Sequence, residues 1–474
     1  MNRTALLLAT TGLLALTAAV VGLPRQKDTS HTLAQPGEAP TGVVLPPATA
    51  KDGPVTLQGK LSGAYLMSGP SEAYAVLTVR ADKPREEQRV PVSLALVIDR
   101  SGSMRGQKLT DARLAARLLV ERLGAEDRLA LVHYGSDVRV FPSQQVTDEV
   151  RHQMLAFVDT IQDEGATNIS GGLQAAAQQL LPYVERFRVS RILLLSDGHP
   201  TEGLVEDSEL LKLADTYQRQ GLTVSGLGVG DEFNERLMRG LAEQGGGFYG
   251  YIQDSEKLAE ILRRELEQAA GTLARGMELR LELPEGVLDA EVMGVPARRE
   301  GKSRVVRLYD LAGGQEAQVV VKLTLSLESS KESSKEGRGV LGARLRYQDV
   351  EAARPVETYL PLSARVTEDE GLVRANLDQE VRVHAVKALG AREMQAAAEE
   401  MKRGNREKAL GLLDNARGLF GSSAEALAGE LADVDRTKAA YLNAQDETSV
   451  KREALQLHRK SLRTFGQNNS YGTD

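Results

Sequence analysis

Five side chains in three short segments carry oxygen donors that could meet at one point. Asp99-Arg100-Ser101-Gly102-Ser103 sets an acid and two hydroxyls at alternate positions of one tight loop. Thr167 stands in Gly165-Ala166-Thr167-Asn168, and Asp197 stands in Ser196-Asp197-Gly198. Carboxylate and hydroxyl oxygens are hard donors, suited to Mg²⁺, Mn²⁺ or Ca²⁺ rather than to soft metals. Gly102 permits the sharp turn that such convergence needs. Each piece alone is ordinary: an Asp/Ser loop can cap the next helix, and Asp-Gly is a common turn. Their order and their placement on the elements make the set specific.

Asp99 ends SLALVID and Asp197 follows RILLLS, two nearly continuous apolar runs. Such runs are expected of central parallel strands buried on both faces. Ligands of open α/β sheets bind outside the carboxyl ends of strands, where strand order reverses, so both aspartates fall where a site is expected. Between and after them, apolar spacing predicts helices over 108–123, 148–161, 169–185, 208–219, 234–244 and 254–273. Strands are predicted over 128–134, 138–141, 192–195, 223–229 and 247–252. Strands alternating with helices indicate a doubly wound, Rossmann-like α/β domain over 91–273.

The flanks read differently. Residues 55–61 and 73–80 alternate apolar and polar, as in strands with one wet face. Short alternating segments return at 277–283, 303–308, 318–327, 340–347 and 356–362. They predict a β-sandwich over 274–365, joined by strands from 54–90, with the α/β domain inserted between. The tandem ESSK units within 328–339 read as a low-complexity loop. Residues 366–465 read as a charged helical module, with a helical hairpin over 394–420 turning at Gly404-Asn405, and 466–474 as a flexible tail.

At the start, Asn2 and Arg3 precede an uncharged stretch from Thr4 to Leu23. Residues 1–23 therefore read as a signal peptide or a membrane anchor, and 24–53 as a Pro-rich linker. The expected location is the cell envelope: periplasmic, extracellular or membrane-anchored. Membrane contact is expected through the first segment only if it is uncleaved. The 474-residue chain has no cysteine, which excludes disulfides, zinc–thiolate sites and thiol nucleophiles. A net charge of -7 and 4% aromatic residues with no Trp argue against a nucleic-acid partner.

The segments VIDRSGSM, GATNISGGL and LLLSDGHPTEG resemble the von Willebrand factor type A family, in its bacterial members, with their metal-ion-dependent adhesion site. The resemblance implies a metal bound directly by Ser101 and Ser103. Thr167 would bind directly or through water, and Asp99 and Asp197 mainly through water. Mg²⁺ is the expected ion, with Mn²⁺ or Ca²⁺ as alternatives. A partner protein's Asp or Glu would complete the coordination. Arg100, Asn168, His199, Thr201, Glu202 and Asp231 would form the rim that sets specificity.

No G-x-S-x-G elbow, no H-E-x-x-H and no phosphate-binding Gly-rich loop with its Lys is present. The expected function is thus metal-dependent protein binding, in adhesion or envelope assembly, and not catalysis. Two other readings stay open on sequence alone. One is a regulatory subunit of a membrane transport or channel-like complex, and the other is a metal-assisted hydrolase.

Overall fold

A computed structural model describes residues 46–83, 89–197, 199–230, 233–252, 258–329, 337–444, 446–465 and 470–472. The apolar segment 1–23, most of the linker 24–53 and most of the ESSK loop lie outside the described residues.

The centre of the chain forms a seven-stranded sheet. Its strands are β5 (Val92–Asp99), β6 (Arg128–Tyr134), β7 (Val138–Gln145), β8 (Val189–Ser196), β9 (Thr223–Val229), β10 (Gly246–Ile252) and β19 (Ser470–Gly472), in the order β19-β10-β9-β8-β5-β6-β7. All pairings are parallel except β6 with β7. Every residue of β5, β6, β8 and β9 is buried, as their unbroken apolar runs require. Alternation splits β5 between two cores. Leu94, Leu96 and Ile98 pack with α1 (Gln107–Arg122), α2 (Asp148–Asp159) and α6 (Leu258–Ala270). Ala95 and Val97 pack with α3 (Ile169–Leu180), α4 (Asp207–Arg219) and α5 (Glu235–Gly245). Truncating one such residue, Leu96→Ala for example, costs about 2–5 kcal/mol through lost burial and the cavity left behind.

The remaining strands form two sheets over one core. The five-stranded sheet runs β1 (Ala48–Asp52), β2 (Val55–Leu61), β4 (Gly69–Ala81), β16 (Glu316–Leu327), β12 (Val287–Met293). The other sheet runs β13 (Ala297–Glu300), β14 (Ser303–Arg307), β11 (Thr272–Glu282), β17 (Arg338–Asp349), β18 (Arg354–Thr367), β3 (Tyr65–Met67), with β15 (Leu311–Ala312) beside β11. Their shared core includes Leu57, Leu77 and Val321 from the first sheet and Leu279, Leu345 and Leu360 from the second. Strands from both sides of the central domain pair here, β4 with β16 antiparallel and β3 with β18 parallel.

Three sequence expectations need correction. The linker reading of 24–53 ends too late, because β1 already pairs with β2 over 48–52. Within 73–80, β4 reaches solvent only at Thr78 and Arg80, while Ala73, Ala75, Leu77 and Val79 face the shared core. Its alternate residues Tyr74 and Val76 lie under Val381, Ala385 and Leu389 of α8 (Gln379–Lys402). The tail reading of 466–474 is also incomplete, because Ser470–Gly472 adds a parallel strand to β10.

The helices after β18 are α7 (Glu370–Ala375), α8, α9 (Arg406–Gly421), α10 (Ala428–Asn443) and α11 (Glu447–Thr464). α8 and α9 form the hairpin, and Gly404 at its turn has φ +75°. Among the described residues no helix is long and apolar enough to cross a membrane.

The central domain is tied to the two sheets at the amino ends of its strands. Val90 N–H donates to the carbonyl of Ala270 at 3.0 Å, so entry and exit of the domain lie side by side. Buried Arg191, near the start of β8, pairs with buried Glu265 of α6 and with Asp310 at 3.4 Å. Asp310 also accepts from Thr223 Oγ1 at 2.7 Å and from Gly276 N–H at 3.0 Å. The carboxyl ends of β5 and β8 lie at the other end of the sheet.

Candidate metal site at the strand ends

β5 neighbours β6 on one side and β8 on the other, so the chain reverses its winding at β5. Asp99 ends β5 and Asp197 directly follows β8, placing both acids at that reversal. The loop after β5 folds back on itself. Ser101 N–H donates to Asp99 Oδ1 at 2.8 Å, and Ser196 Oγ donates to Asp99 Oδ2 at 2.7 Å. Ser101 Oγ and Ser103 Oγ lie 3.0 Å apart, and Ser103 Oγ donates to Asp197 Oδ1 at 2.7 Å. Four of the five predicted donors thus form one continuous hydrogen-bonded cluster.

Backbone bonds join the other two loops to it. Gly102 N–H donates to the Gly165 carbonyl at 3.3 Å. Thr167 N–H donates to Thr201 Oγ1 at 2.9 Å, and Thr201 N–H returns a bond to the Thr167 carbonyl at 3.0 Å. The Thr167 backbone is therefore held from both sides. Its own hydroxyl has no hydrogen-bond partner among the described residues and is free for another role. Gly165 is needed where it stands: its φ is +82°, and a Cβ there would meet Ser136 N at 2.7 Å.

Asp99, Ser101, Thr167 and Asp197 are buried, while Ser103 is exposed. Burial pushes the Asp99 carboxyl above its usual range. Hydrogen bonds from Ser196 and Ser101 oppose that shift, and the neighbouring Asp197 charge adds to it. Lys108, on the first turn of α1, pairs with the second oxygen of Asp197.

The predicted rim divides. His199, Thr201 and Glu202 are exposed beside the cluster. Asp231 lies outside the described residues. Arg100 is not at the rim: it is 2% exposed and lies beneath the surface carboxylates of Asp137 and Glu164, with which it pairs. An arginine beside a buried strand end must find carboxylates, and these two supply them. Asn168 is spent as the cap of α3, accepting from Gly171 N–H at 2.8 Å and Ser170 Oγ at 3.1 Å. Sequence reasoning missed Lys108 and Ser196. Lys108 sits five residues past Ser103 at the start of an amphipathic helix, and Ser196 directly precedes Asp197.

Among the described residues no group of three or more His, Cys, Asp or Glu side chains could hold a metal ion. The donors here are of another kind, two carboxylates with three hydroxyls, and all are hard oxygens. Two carboxylates and one ammonium leave a single negative charge, which a divalent cation more than offsets. This donor set fits a small hard cation and fits no soft one.

Comparison with known proteins bears on the central domain and on the fold around it. Residues 93–264 match the family model of the von Willebrand factor type A domain. An uncharacterized protein of Synechocystis sp. is 28% identical over 354 residues, 72% of this chain and 81% of that protein. Inter-alpha-trypsin inhibitor heavy chain H3 of Homo sapiens is 28% identical over 206 residues, 42% of this chain and only 23% of that one. A solved structure of a von Willebrand factor type A protein from Catenulispora acidiphila superposes with a TM-score of 0.67 at 17% identity. That match covers 87% of this chain and 97% of the other, so the likeness of fold extends beyond the central domain.

Proposed function

We infer that this chain, whose residues 93–264 match the von Willebrand factor type A domain, binds a partner protein through a divalent metal ion held at the strand ends. Domains of this family generally mediate protein–protein interactions. One observation carries the reading: Asp99, Ser101, Ser103 and Asp197 form a hydrogen-bonded cluster of hard oxygens that reaches solvent at Ser103. The bonds that fix the domain to the two-sheet unit lie at the opposite strand ends, around Arg191 and Ala270.

Mg²⁺ is the proposed ion, with Mn²⁺ or Ca²⁺ as substitutes. Bound there, it supplies an electrophilic position that a carboxylate oxygen of a partner's Asp or Glu can take. Ser101, Ser103 and Thr167 contribute neutral hydroxyls and so do not quench its charge. Asp99 holds the loop through Ser101 N–H and Ser196, and Asp197 orients Ser103. His199, Thr201 and Glu202 flank the opening and select the partner. Both carboxylates are engaged in holding the site, by the Ser103 and Ser196 hydroxyls and by Lys108, and the protein is proposed as a binder and not an enzyme. The apolar segment 1–23 supports a location in the cell envelope, exported or membrane-anchored.

The test is capture of envelope proteins on the immobilised chain, in Mg²⁺ and in chelator, beside Asp99→Ala. A protein retained only by metal-loaded wild type supports the reading. The same proteins on all samples would show that recognition lies elsewhere.

A further inference from the structure

Among the described residues, Lys108 is the one cation paired with a carboxylate of the cluster. Its ammonium pairs with Asp197 Oδ2, while Asp197 Oδ1 takes the Ser103 hydroxyl at 2.7 Å. The two oxygens of this buried carboxylate are thus shared between a proposed metal-binding hydroxyl and a fixed positive charge. The Lys108 side chain has further neighbours. Its Nζ also lies 3.4 Å from the Ser103 carbonyl, and its Cε would lie 2.9 Å from a Cβ placed on Gly230, after β9. The side chain is about one-third exposed, whereas Asp197 is almost wholly covered. Solvent therefore screens this charge incompletely, and its field reaches the cluster.

We propose that Lys108 is a positioning residue that acts as a built-in counter-cation, holding Asp197 in place when the site is empty and weakening the site's affinity for a divalent ion. The inference rests on the metal-binding reading above. Two consequences follow from the charges. Without metal, Lys108 offsets the repulsion between Asp197 and buried Asp99, and so stabilises the empty fold. With metal, the ammonium repels the ion, so the ion binds more weakly but keeps a net positive charge for an incoming carboxylate. The site is then adjusted for reversible loading and for anion capture, where a fully anionic cage would hold the ion tightly and neutralise it.

Lys108→Gln separates charge from position, because the amide still donates to Asp197 but carries no charge. Lys108→Arg keeps the charge. The full chain is titrated with Mn²⁺ by calorimetry, and thermal unfolding is recorded with and without Mn²⁺. The expected result is roughly tenfold tighter Mn²⁺ binding by Lys108→Gln, with affinity near wild type for Lys108→Arg. Lys108→Gln should also unfold at a lower temperature than wild type without metal and gain more from Mn²⁺. Mn²⁺ affinity that is unchanged or weakened in Lys108→Gln would overturn this inference alone, since Lys108 would then be a structural anchor. No Mn²⁺ binding by any of the three proteins would overturn the metal-binding reading and this inference with it.

Discussion

Thr167 and Thr201 are bonded to each other twice. The Thr167 N–H donates to Thr201 Oγ1 at 2.9 Å, and the Thr201 N–H donates to the Thr167 carbonyl at 3.0 Å. This pair locks the loop after β8 to the loop before α3, and it leaves the Thr167 hydroxyl as the group free to face a ligand. The loop carrying Thr201 and the loop carrying Thr167 are therefore one mechanical unit.

Thr201→Val keeps the side-chain shape but removes the acceptor of the Thr167 N–H. A lost hydrogen bond of this kind costs on the order of 1 kcal/mol. Mg²⁺ affinity measured by calorimetry should fall by about fivefold to tenfold, with Thr201→Ser close to wild type. Unchanged affinity in Thr201→Val would show that Thr167 is positioned without this pair.

His458 gives the fold a defined acid sensitivity. It is buried where α11 meets α5, and its Nε2 accepts from Arg239 Nη1 at 2.6 Å. Burial, first of all, depresses its pKa to about 4; Arg239 and Lys402 push the same way, and Glu235 and Glu399 push against them. A depressed folded pKa means the unfolded chain binds the proton more readily. Stability is therefore full above about pH 6.5 and is lost as pH falls toward about 4, by up to about 3 kcal/mol. His133, also depressed to about 4 by burial, adds to the loss in the same window. Unfolding temperature recorded from neutral pH down to about pH 4 should drop less steeply in His458→Gln than in wild type.

The Arg191–Glu265 pair joins β8 to α6 beneath the two-sheet unit, with both side chains buried. Glu265→Leu leaves the guanidinium its pair with Asp310, at 3.4 Å. Breaking a buried pair by removing one partner costs about 3–5 kcal/mol. Urea unfolding should show a loss near the lower figure, because Asp310 remains.

The α/β domain was legible because its signals are local and strong. β5 and β8 are unbroken apolar runs, and α1 shows helical spacing from Leu109 to Val120. The two aspartates were legible because they stand at strand ends, a position readable without contacts. The rest depended on tertiary partners. Tyr74 and Val76 read as one face of an ordinary strand until α8 is seen to cover them. Polar ARRE of β13 forms a strand only because β14 lies beside it. Arg100 reads as available beside Asp99, but the carboxylates that cover it, Asp137 and Glu164, lie 37 and 64 residues away. Lys108 was missed for the same reason, since its partner Asp197 is 89 residues distant.

Anomalous diffraction from crystals of the chain grown with Mn²⁺ decides whether the strand ends hold a metal. The expected result is one strong anomalous peak at bonding distance from the hydroxyls of Ser101 and Ser103, absent in Asp99→Ala crystals grown the same way. No peak at these hydroxyls, with Mn²⁺ present at saturating concentration, would contradict the metal-dependent reading of this site.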